Sequence, residues 1–517
     1  MLFRSTVGTL SITGNLINGA TGLIDIDIQG IGAGQNDVLA ISGTGTMGGA
    51  LRLNEINGWA TRVGDNYTVL TCGISCTGTF ATVVPTFGDT GTTSVNANNV
   101  PYNVTGASIG KFWDGGAGDN LWQSAANWSG DTLPTSADDV LIDTGVAGGP
   151  PAITVTLSSG NHAVRRLLSE ENLTVSAGTL TLGGSPTDSA TVNGTLTMSG
   201  GTLAGPASMT VKSLNMSAGV LSNTGAVTIN TLMMTGGLLT GSGDVNVTDG
   251  FYWSSGSMGG TGRTLVGAGV TNGIVHTTDY GVAEPVLSRT LVNNGVIIHQ
   301  QGYYANNLTL TTGGVLDNRG TYLFTDNTGI DGGGGAIINS GVFGKTGGGG
   351  ATNIYATLTN TNGGSFDISS GWINTLAGFS ATGIGNLNGT LVMGGGSGTV
   401  SGELNGTGTL MLNAGVLTTD PSGFKVPGYS QNGGTLNGDG DLTAKSEFYW
   451  SSGTMTGSGK TVVGAGVTNG IVHTTDYGVS EPVLSRTLEN NGVISHQPRS
   501  EEHTSELQSL AYLVCRL

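Results

Sequence analysis

Apolar and polar residues alternate along most of the chain in short segments that end at glycine-bearing corners. The segments LTMSGGTL, LNMSAGVL, LMMTGGLL and FYWSSGSM begin at Leu196, Leu214, Leu232 and Phe251, so they recur at a nearly constant step. In each segment the first and third positions are apolar, which is the two-residue period of a β-strand with one buried face. Glycine at the corner permits the sharp bend that a short strand needs before the next one begins. The pattern predicts one strand-rich coil for about every 19 residues.

A second series has the same period. The segments LVMGGGSG, LMLNAGVL, YSQNGGTL and FYWSSGTM begin at Leu391, Leu410, Tyr429 and Phe448, again at equal steps. Before residue 499 no segment combines helical hydrophobic spacing with helix-cap signals, so crossover helices are not expected. We therefore predict an all-β fold, a right-handed parallel β-helix (β-solenoid) in which each coil stacks on the previous one. With about 4.8 Å between strands, residues 151–498 would form roughly 14 to 18 coils.

The repeat register also predicts which side chains face the core. Leu196, Leu214 and Leu232 are expected to stack in a single column. The aromatic residues expected to continue such columns inward are Phe251, Trp253, Phe448 and Trp450. Between them, Tyr252 and Tyr449 are expected to point outward, because side chains alternate along a strand. Threonine, serine and asparagine are expected at outward or corner positions.

Longer-range features divide the chain into zones. Residues 251–300 return at 448–497, an offset of 197, with 42 of 50 positions identical, through either duplication or an assembly error in a repetitive gene. Residues 1–105 are strand-rich without the regular step of the later segments, so they form a separate β-domain or an irregular solenoid. Residues 106–150 are rich in Trp, Asp and Gly and are interpreted as a junction.

The two ends of the chain and its cysteines suggest which residues are native and whether a disulfide can form. Residues 499–517, RSEEHTSELQSLAYLVCRL, resemble a translated sequencing adapter, so we interpret them as a non-native tail and expect the natural protein to continue past Gln497. The first residues show no signal of secretory type. Cys515 lies in this tail, which leaves Cys72 and Cys76 as either a small disulfide loop in an oxidising compartment or two ordinary thiols.

Composition disfavours several classes of partner. Glycine supplies 94 of 517 residues, only 10% of residues are charged, and the net charge is −17. Nucleic acid and anionic membranes are disfavoured as partners, because no basic surface can be assembled. No apolar run is long enough to cross a bilayer as a helix, so no membrane-spanning segment is predicted.

Few residues suggest chemistry. The string GGAGDN at Gly115 resembles one copy of a calcium-binding repeat, and the nearby candidate oxygen donors are Asp114, Asp119, Asp138, Asp139 and Asp143. A single degenerate copy favours solvated turn aspartates over a calcium site. The histidines before the tail are His162, His276, His299, His473 and His496.

Two polar clusters occur twice. The cluster His276, Asp279 and Tyr280 returns as His473, Asp476 and Tyr477. Arg289 near Glu284 likewise returns as Arg486 near Glu481. An enzyme seldom needs two copies of its site, so we interpret both clusters as structural. We assign no catalytic, cofactor-binding or metal-binding residue, and expect no cofactor.

Several segments resemble parts of known proteins. FWDGGAGDNLWQSAANWSGD and FYWSSGSMGGTGRTLV resemble elements of large bacterial surface or secreted proteins, adhesin-like or autotransporter-passenger-like, that have β-solenoid shafts. NDVLAISGTGTMGGALRL is similar to another module common in such chains. The resemblance implies export and an extracellular or cell-surface location.

These observations lead to two functional hypotheses. The first is a non-enzymatic stalk or adhesin-like protein whose repetitive surface contacts glycans, surfaces or other copies of itself. The alternative is a carbohydrate-active β-helix enzyme, a polysaccharide lyase or hydrolase. Such an enzyme should have a groove lined by Asp, Arg or His side chains from several adjacent coils.

Overall fold

The protein is described here by a computed structural model. The structure describes residues 7–55, 61, 64–84, 90–106, 109–143, 153–277, 283–301, 307–473 and 480–497. The chain divides into two compact units, residues 1–276 with 281–291, and residues 277–280 with 292–517. Within each unit the described strands form parallel stacked coils, as the repeat period predicted, and the described residues make up about 16 β-solenoid turns in all. In the described residues no helix is long and apolar enough to cross a membrane.

The N-terminal region is itself a short solenoid. Three parallel ladders, β1-β4-β7, β2-β5-β8 and β3-β6-β9, give three coils, and β11 and β10 extend the first ladder in antiparallel fashion. Thr9 pairs with Val38 and Leu39 with Leu70, so these coils are longer than those that begin at Leu196. The strands are β1 Thr9–Ile12, β2 Leu16–Ile17, β3 Leu23–Ile28, β4 Val38–Ile41, β5 Thr44–Met47, β6 Ala50–Glu55, β7 Asn66–Cys72, β8 Ser75–Gly78, β9 Thr82–Val84, β10 Thr90–Thr93 and β11 Asn99–Gly106.

A disulfide joins Cys72 and Cys76 across the corner between β7 and β8. Both cysteines are buried in the core of these coils. Of the two sequence alternatives, the structure therefore contains the disulfide loop.

Reduction of this disulfide is expected to lower the stability of the N-terminal coils by about 2 kcal/mol, because the bond restricts a short loop in the unfolded chain. Thermal unfolding with and without dithiothreitol measures the effect, and the double variant Cys72→Ser, Cys76→Ser should be insensitive to the reductant. Alkylation under denaturing, non-reducing conditions should modify one of the three cysteines, Cys515. Modification of all three would contradict the pairing.

The first unit also contains the junction and, among the described residues, twelve further solenoid strands. The junction holds β12 Ile109–Phe112, a short 3-10 helix Ala125–Asn127 and β13 Asp139–Ile142. The solenoid strands are β14 Thr154–Leu157, β15 Asn161–Val164, β16 Arg166–Ser169, β17 Asn172–Val175, β18 Thr179–Leu182, β19 Ser189–Gly205, β20 Ser208–Asn223, β21 Val227–Thr240, β22 Val245–Met258, β23 Arg263–Val266, β24 Gly273–Thr277 and β25 Val286–Leu287.

The predicted core column is confirmed in the first unit. Leu196 pairs with Leu214, Leu214 with Leu232, and Leu232 with Phe251, and all four side chains are buried. Trp253 is fully buried, while Tyr252 is half-buried on the other face of β22.

Glycine is required at these corners both by the bend of the chain and by the close stacking of adjacent coils. Gly219 has a φ of +78° and Gly237 has the same φ, in the left-handed region that glycine tolerates best. A Cβ atom on Gly219 would lie 2.3 Å from the carbonyl oxygen of Gly200 in the preceding coil. Substitution at this corner would therefore push adjacent coils apart.

The second unit contains most of the later strands. From residue 290 they are β26 Thr290–Asn293, β27 Val296–Gln301, β28 Leu308–Thr311, β29 Val315–Asn318, β30 Thr321–Phe324, β31 Ile330–Gly333, β32 Ala336–Asn339, β33 Val342–Lys345, β34 Ala351–Ile354, β35 Thr357–Asn360, β36 Ser365–Thr375, β37 Phe379–Ala381, β38 Ile384–Met393, β39 Ser397–Asn405, β40 Thr409–Leu412, β41 Val416–Gly438, β42 Leu442–Met455, β43 Lys460–Val463, β44 Gly470–His473, β45 Val483–Leu484, β46 Thr487–Asn490 and β47 Ile494–Gln497.

The predicted register is also confirmed in this unit. Leu391 pairs with Leu410, Leu410 with Tyr429, and Tyr429 with Phe448. Phe448 and Trp450 are buried, and Tyr449 between them is half-buried.

Four asparagines end strands in successive coils, at corners as expected, but their side chains are buried in the core and do not face outward. Asn293, Asn318, Asn339 and Asn360 are buried, and side-chain hydrogen bonds of 2.7–2.8 Å join each to the next. The first three also donate to a backbone carbonyl oxygen in the following coil. A side-chain amide has both donors and an acceptor. The asparagines of this column can therefore satisfy one another's hydrogen-bonding groups inside the core.

Candidate functional site

The tryptophans of the junction form a packed cluster. Trp122 and Trp128 are fully buried, with ring centroids 4.8 Å apart, and Trp113 packs edge-on against Trp128 at 5.0 Å. The indole N–H of Trp128 donates to the backbone oxygen of Trp122 at 2.7 Å. These indoles therefore act as the core of the junction.

The candidate calcium ligands of the junction bind other protein groups. Asp119 accepts hydrogen bonds from Ser124 Oγ, Asn127 Nδ2 and the backbone N–H of Leu121. Asp114 accepts from the Gly116 N–H, Asp138 accepts from Thr135, and the buried Asp139 pairs with Arg165. Asp143 is also buried. Over the described residues there is no group of three His, Cys, Asp or Glu side chains placed to hold a metal ion.

Acidification is expected to loosen the Asp119 loop. Hydrogen bonds, first from Ser124, hold the pKa of Asp119 below its ordinary value. A lowered pKa means that the folded state favours the carboxylate, so this stabilisation is present above the unfolded pKa and is lost as the pH falls through the lower folded value. Hydrogen exchange of residues 114–128 from pH 5 to pH 2 measures the change.

The variant Asp119→Asn is the control for this prediction, because its side chain cannot titrate. Its loop should exchange faster than the parent at pH 5 and should show a smaller response to acid. An identical response in parent and variant would contradict the role of Asp119.

The histidines whose side chains the structure describes differ in exposure and contacts. His299 is buried and its Nδ1 lies 2.9 Å from Tyr322 Oη, whereas His496 is exposed in β47. His162 is half-buried beside Trp122. His473 is half-buried in β44, and the backbone of His276 lies in β24. Asp279, Tyr280, Asp476 and Tyr477 lie outside the described residues.

The two repeated arginines contact backbone carbonyls. Arg289 is buried and donates to the backbone oxygens of Gly243, Gly262 and Arg263 at 2.7–3.0 Å. Burial lowers its pKa to about 10, so it remains cationic at neutral pH. Arg486 donates to the equivalent carbonyls of Gly440 and Lys460, and its third acceptor is the carbonyl of Thr456. These contacts identify both arginines as clamps between coils.

A polar groove on the second unit was not anticipated from the sequence. It has a volume of about 540 Å³ and spans three successive coils, at β28, β31 and β34. We call it the Tyr355 groove. Its lining residues are Asn307, Asn327, Gly329, Asp331, Gly332, Asn353 and Tyr355.

Strand register places these side chains together. Thr309 pairs with Asp331, and Ile330 pairs with Ile354, so Asp331 and Tyr355 occupy matching outward positions on adjacent coils. Asn307 binds across the coils, donating to Asp331 Oδ1 at 3.0 Å and accepting from the Gly329 N–H at 2.7 Å. Gly332 leaves no room for a side chain, since its Cβ would lie 2.1 Å from the Tyr355 carbonyl oxygen.

The groove is bordered by a buried lysine. The Lys345 side chain is fully buried, and its Nζ donates to Asn327 Oδ1 at 3.0 Å and to the backbone oxygen of Asp326. Burial lowers the pKa of Lys345, and the nearby Asp326 charge partly opposes this shift. The sequence signals that could have directed attention here are the runs DGGGG at Asp331 and TGGGG at Thr346.

Comparisons with known proteins gave no match among protein-family models, curated proteins or solved structures.

Proposed function

We propose that this chain is a non-enzymatic, extracellular or cell-surface stalk of adhesin-like type, which displays the outer wall of a β-solenoid to glycans, surfaces or other copies of itself. The observation that carries the proposal is the coil-on-coil stacking within each unit, where apolar columns, amide ladders and arginine clamps join consecutive coils. A repetitive wall offers the same weak contact many times, and repeated weak contacts strengthen one another when they engage simultaneously.

Two further features support this role. The Cys72–Cys76 disulfide suits an oxidising environment outside the cytoplasm. The side chains that line the Tyr355 groove are three asparagine amides, the Tyr355 ring and one carboxylate, that of Asp331. Glycosidases ordinarily use two carboxyl groups on either side of the scissile bond. The composition of this groove therefore favours binding over cleavage.

Adhesion of protein-coated beads tests the proposal. Beads carrying the full chain at low and high density are applied to surfaces coated with polysaccharides, and retained beads are counted. Retention that rises steeply with density is expected from repeated weak contacts. Soluble sugar products are measured in the same samples. No retention at either density, or release of new reducing ends or unsaturated sugars, would overturn the proposal.

A further inference from the structure

We infer that the Tyr355 groove binds a neutral glycan, with the Tyr355 ring as a stacking surface and the amides of Asn327 and Asn353 as hydrogen-bond donors. The inference rests on the proposed function, because it names a ligand class for the displayed surface. It adds a defined site and a defined chemistry to that function.

The orientation of the Asn327 amide is fixed by its neighbours. An ammonium group can only donate hydrogen bonds, so the atom of Asn327 that faces Lys345 Nζ at 3.0 Å must be the oxygen. The Gly350 N–H also donates to this oxygen at 3.0 Å. The Nδ2 group of Asn327 is consequently left as a donor, on a residue that is exposed. Lys345 therefore acts as a positioning residue for the groove.

The other polar atoms complete a mixed set of donors and acceptors. Asn353 Oδ1 accepts from Asn374 Nδ2 at 2.9 Å in the next coil, and its own Nδ2 can donate to a ligand. Asp331 uses Oδ1 for the bond from Asn307, so Oδ2 can accept from a ligand. A sugar hydroxyl both donates and accepts, and this arrangement can satisfy both roles.

Tyr355 supplies the apolar part of the site. Its side chain is 47% exposed although it lies beside the buried column that contains Ile354. An aromatic ring with a polar tip suits ligands that have an apolar face and polar edges. A pyranose ring has this character, with C–H bonds on its faces and hydroxyls around its rim.

Charge favours a neutral ligand. The carboxylate of Asp331 is the charged group among the lining residues, and the ammonium group of Lys345 is buried and directed at Asn327 and Asp326. The chain has a net charge of −17. A polyuronate would bring further negative charge to a carboxylate without a cation from the lining to offset it.

Binding measurements with the full chain test the inference. Neutral oligosaccharides of glucose, mannose and xylose are titrated by calorimetry, with oligogalacturonate as the acidic comparison. Tyr355→Ala is expected to weaken binding of the preferred neutral glycan about tenfold, as for truncation of an aromatic contact residue. The matched control is Trp372→Ala, since Trp372 is 40% exposed in the next coil but does not line the groove.

A second variant separates binding from stability. Asn327→Asp keeps the acceptor for Lys345 and adds a favourable charge, so the melting temperature should not fall, but it removes the Nδ2 donor. Binding should weaken several-fold. Unchanged binding in Tyr355→Ala and Asn327→Asp, equal loss in Trp372→Ala, tighter binding of oligogalacturonate, or no binding of any neutral sugar would each overturn the inference.

The bead assay distinguishes failure of the groove inference from failure of the proposed function. If the parent adheres to neutral polysaccharides and Tyr355→Ala adheres equally well, the groove inference fails and the proposed display function stands. If the parent adheres to nothing, the proposed function fails.

Discussion

Replacing Asn318 with alanine is expected to destabilise the second unit by about 3 kcal/mol or more. Asn318 is fully buried and donates to Asn339 Oδ1 and to the Val342 carbonyl, each at 2.8 Å, while accepting from Asn293 Nδ2. Alanine would remove all three hydrogen bonds and leave partner groups buried. Each unsatisfied buried group costs about 1–3 kcal/mol, so their sum exceeds the ordinary effect of a point mutation.

Local measurements are needed, because stacked repeats can unfold in segments. Hydrogen exchange should accelerate most in β26, β29 and β32, whose last residues are joined by the asparagine side-chain hydrogen bonds. The midpoint of denaturant unfolding should fall as well. Asn413→Ala is the matched control, since Asn413 is exposed and bonded to Asn432 at 3.3 Å. Equal protection from hydrogen exchange in Asn318→Ala and Asn413→Ala would contradict a stabilising role for the asparagine column.

Replacing Arg289 with methionine is expected to destabilise the first unit by about 2–4 kcal/mol. Methionine fills much of the same space but cannot donate to the carbonyls of Gly243, Gly262 and Arg263. Hydrogen bonds from a charged donor contribute about 1.5–3 kcal/mol each, and relief of the buried charge offsets part of the loss. Arg289→Lys should also be destabilising, because lysine lacks the planar fork that spans several acceptors.

The chain contains two comparisons for this prediction. Arg486→Met should produce a similar loss in the second unit, where Arg486 contacts two of the equivalent carbonyls, those of Gly440 and Lys460. Arg263→Met is the exposed control, and loss of its surface ion pair with Asp244 should cost less than about 1 kcal/mol. Denaturant unfolding measures all three variants. A loss in Arg289→Met no larger than in Arg263→Met would show that the clamp adds little.

The duplicated segment shows how far residue identity alone predicts environment. His299 and His496 occupy the same position in nearly identical sequences, yet one is buried and the other is exposed. Strand β30 pairs with β27 and brings Tyr322 and Phe324 beside His299. For His496 in β47, the last described strand, the described pairing is with β44 on one side. Burial in a solenoid depends on the neighbouring coil, which lies outside the repeated segment.

The buried asparagine column, Asn293, Asn318, Asn339 and Asn360, has a signal in the sequence. Three of its four residues stand two positions before a glycine, in NNG, NRG and NSG, at strand ends. The recurrence marks a shared corner, but it does not reveal whether the amide faces solvent or core. Its direction is decided by the adjacent amides, each of which belongs to the next coil of the solenoid.

The Tyr355 groove and the arginine clamps had still weaker signals. The residues that meet in the groove, and those that meet at each clamp, are separated in sequence by about one or two coils. The partners of Arg289 are also backbone oxygens, which every residue carries. Coils of unequal length between β28 and β34 also remove the fixed period that aligned Leu196 with Leu214 and Leu232.

The sequence by itself determined that this protein is an all-β solenoid, which residues form its main apolar columns, and where its glycine corners lie. These follow from local strand periodicity and from a repeat length that recurs along the chain. Only the tertiary structure decided that the Cys72–Cys76 bond forms, that asparagines and arginines join coils inside the core, and that Tyr355 borders a groove. Those features depend on which groups meet when coils of different length stack, and the side-chain pattern of a single coil does not contain that information.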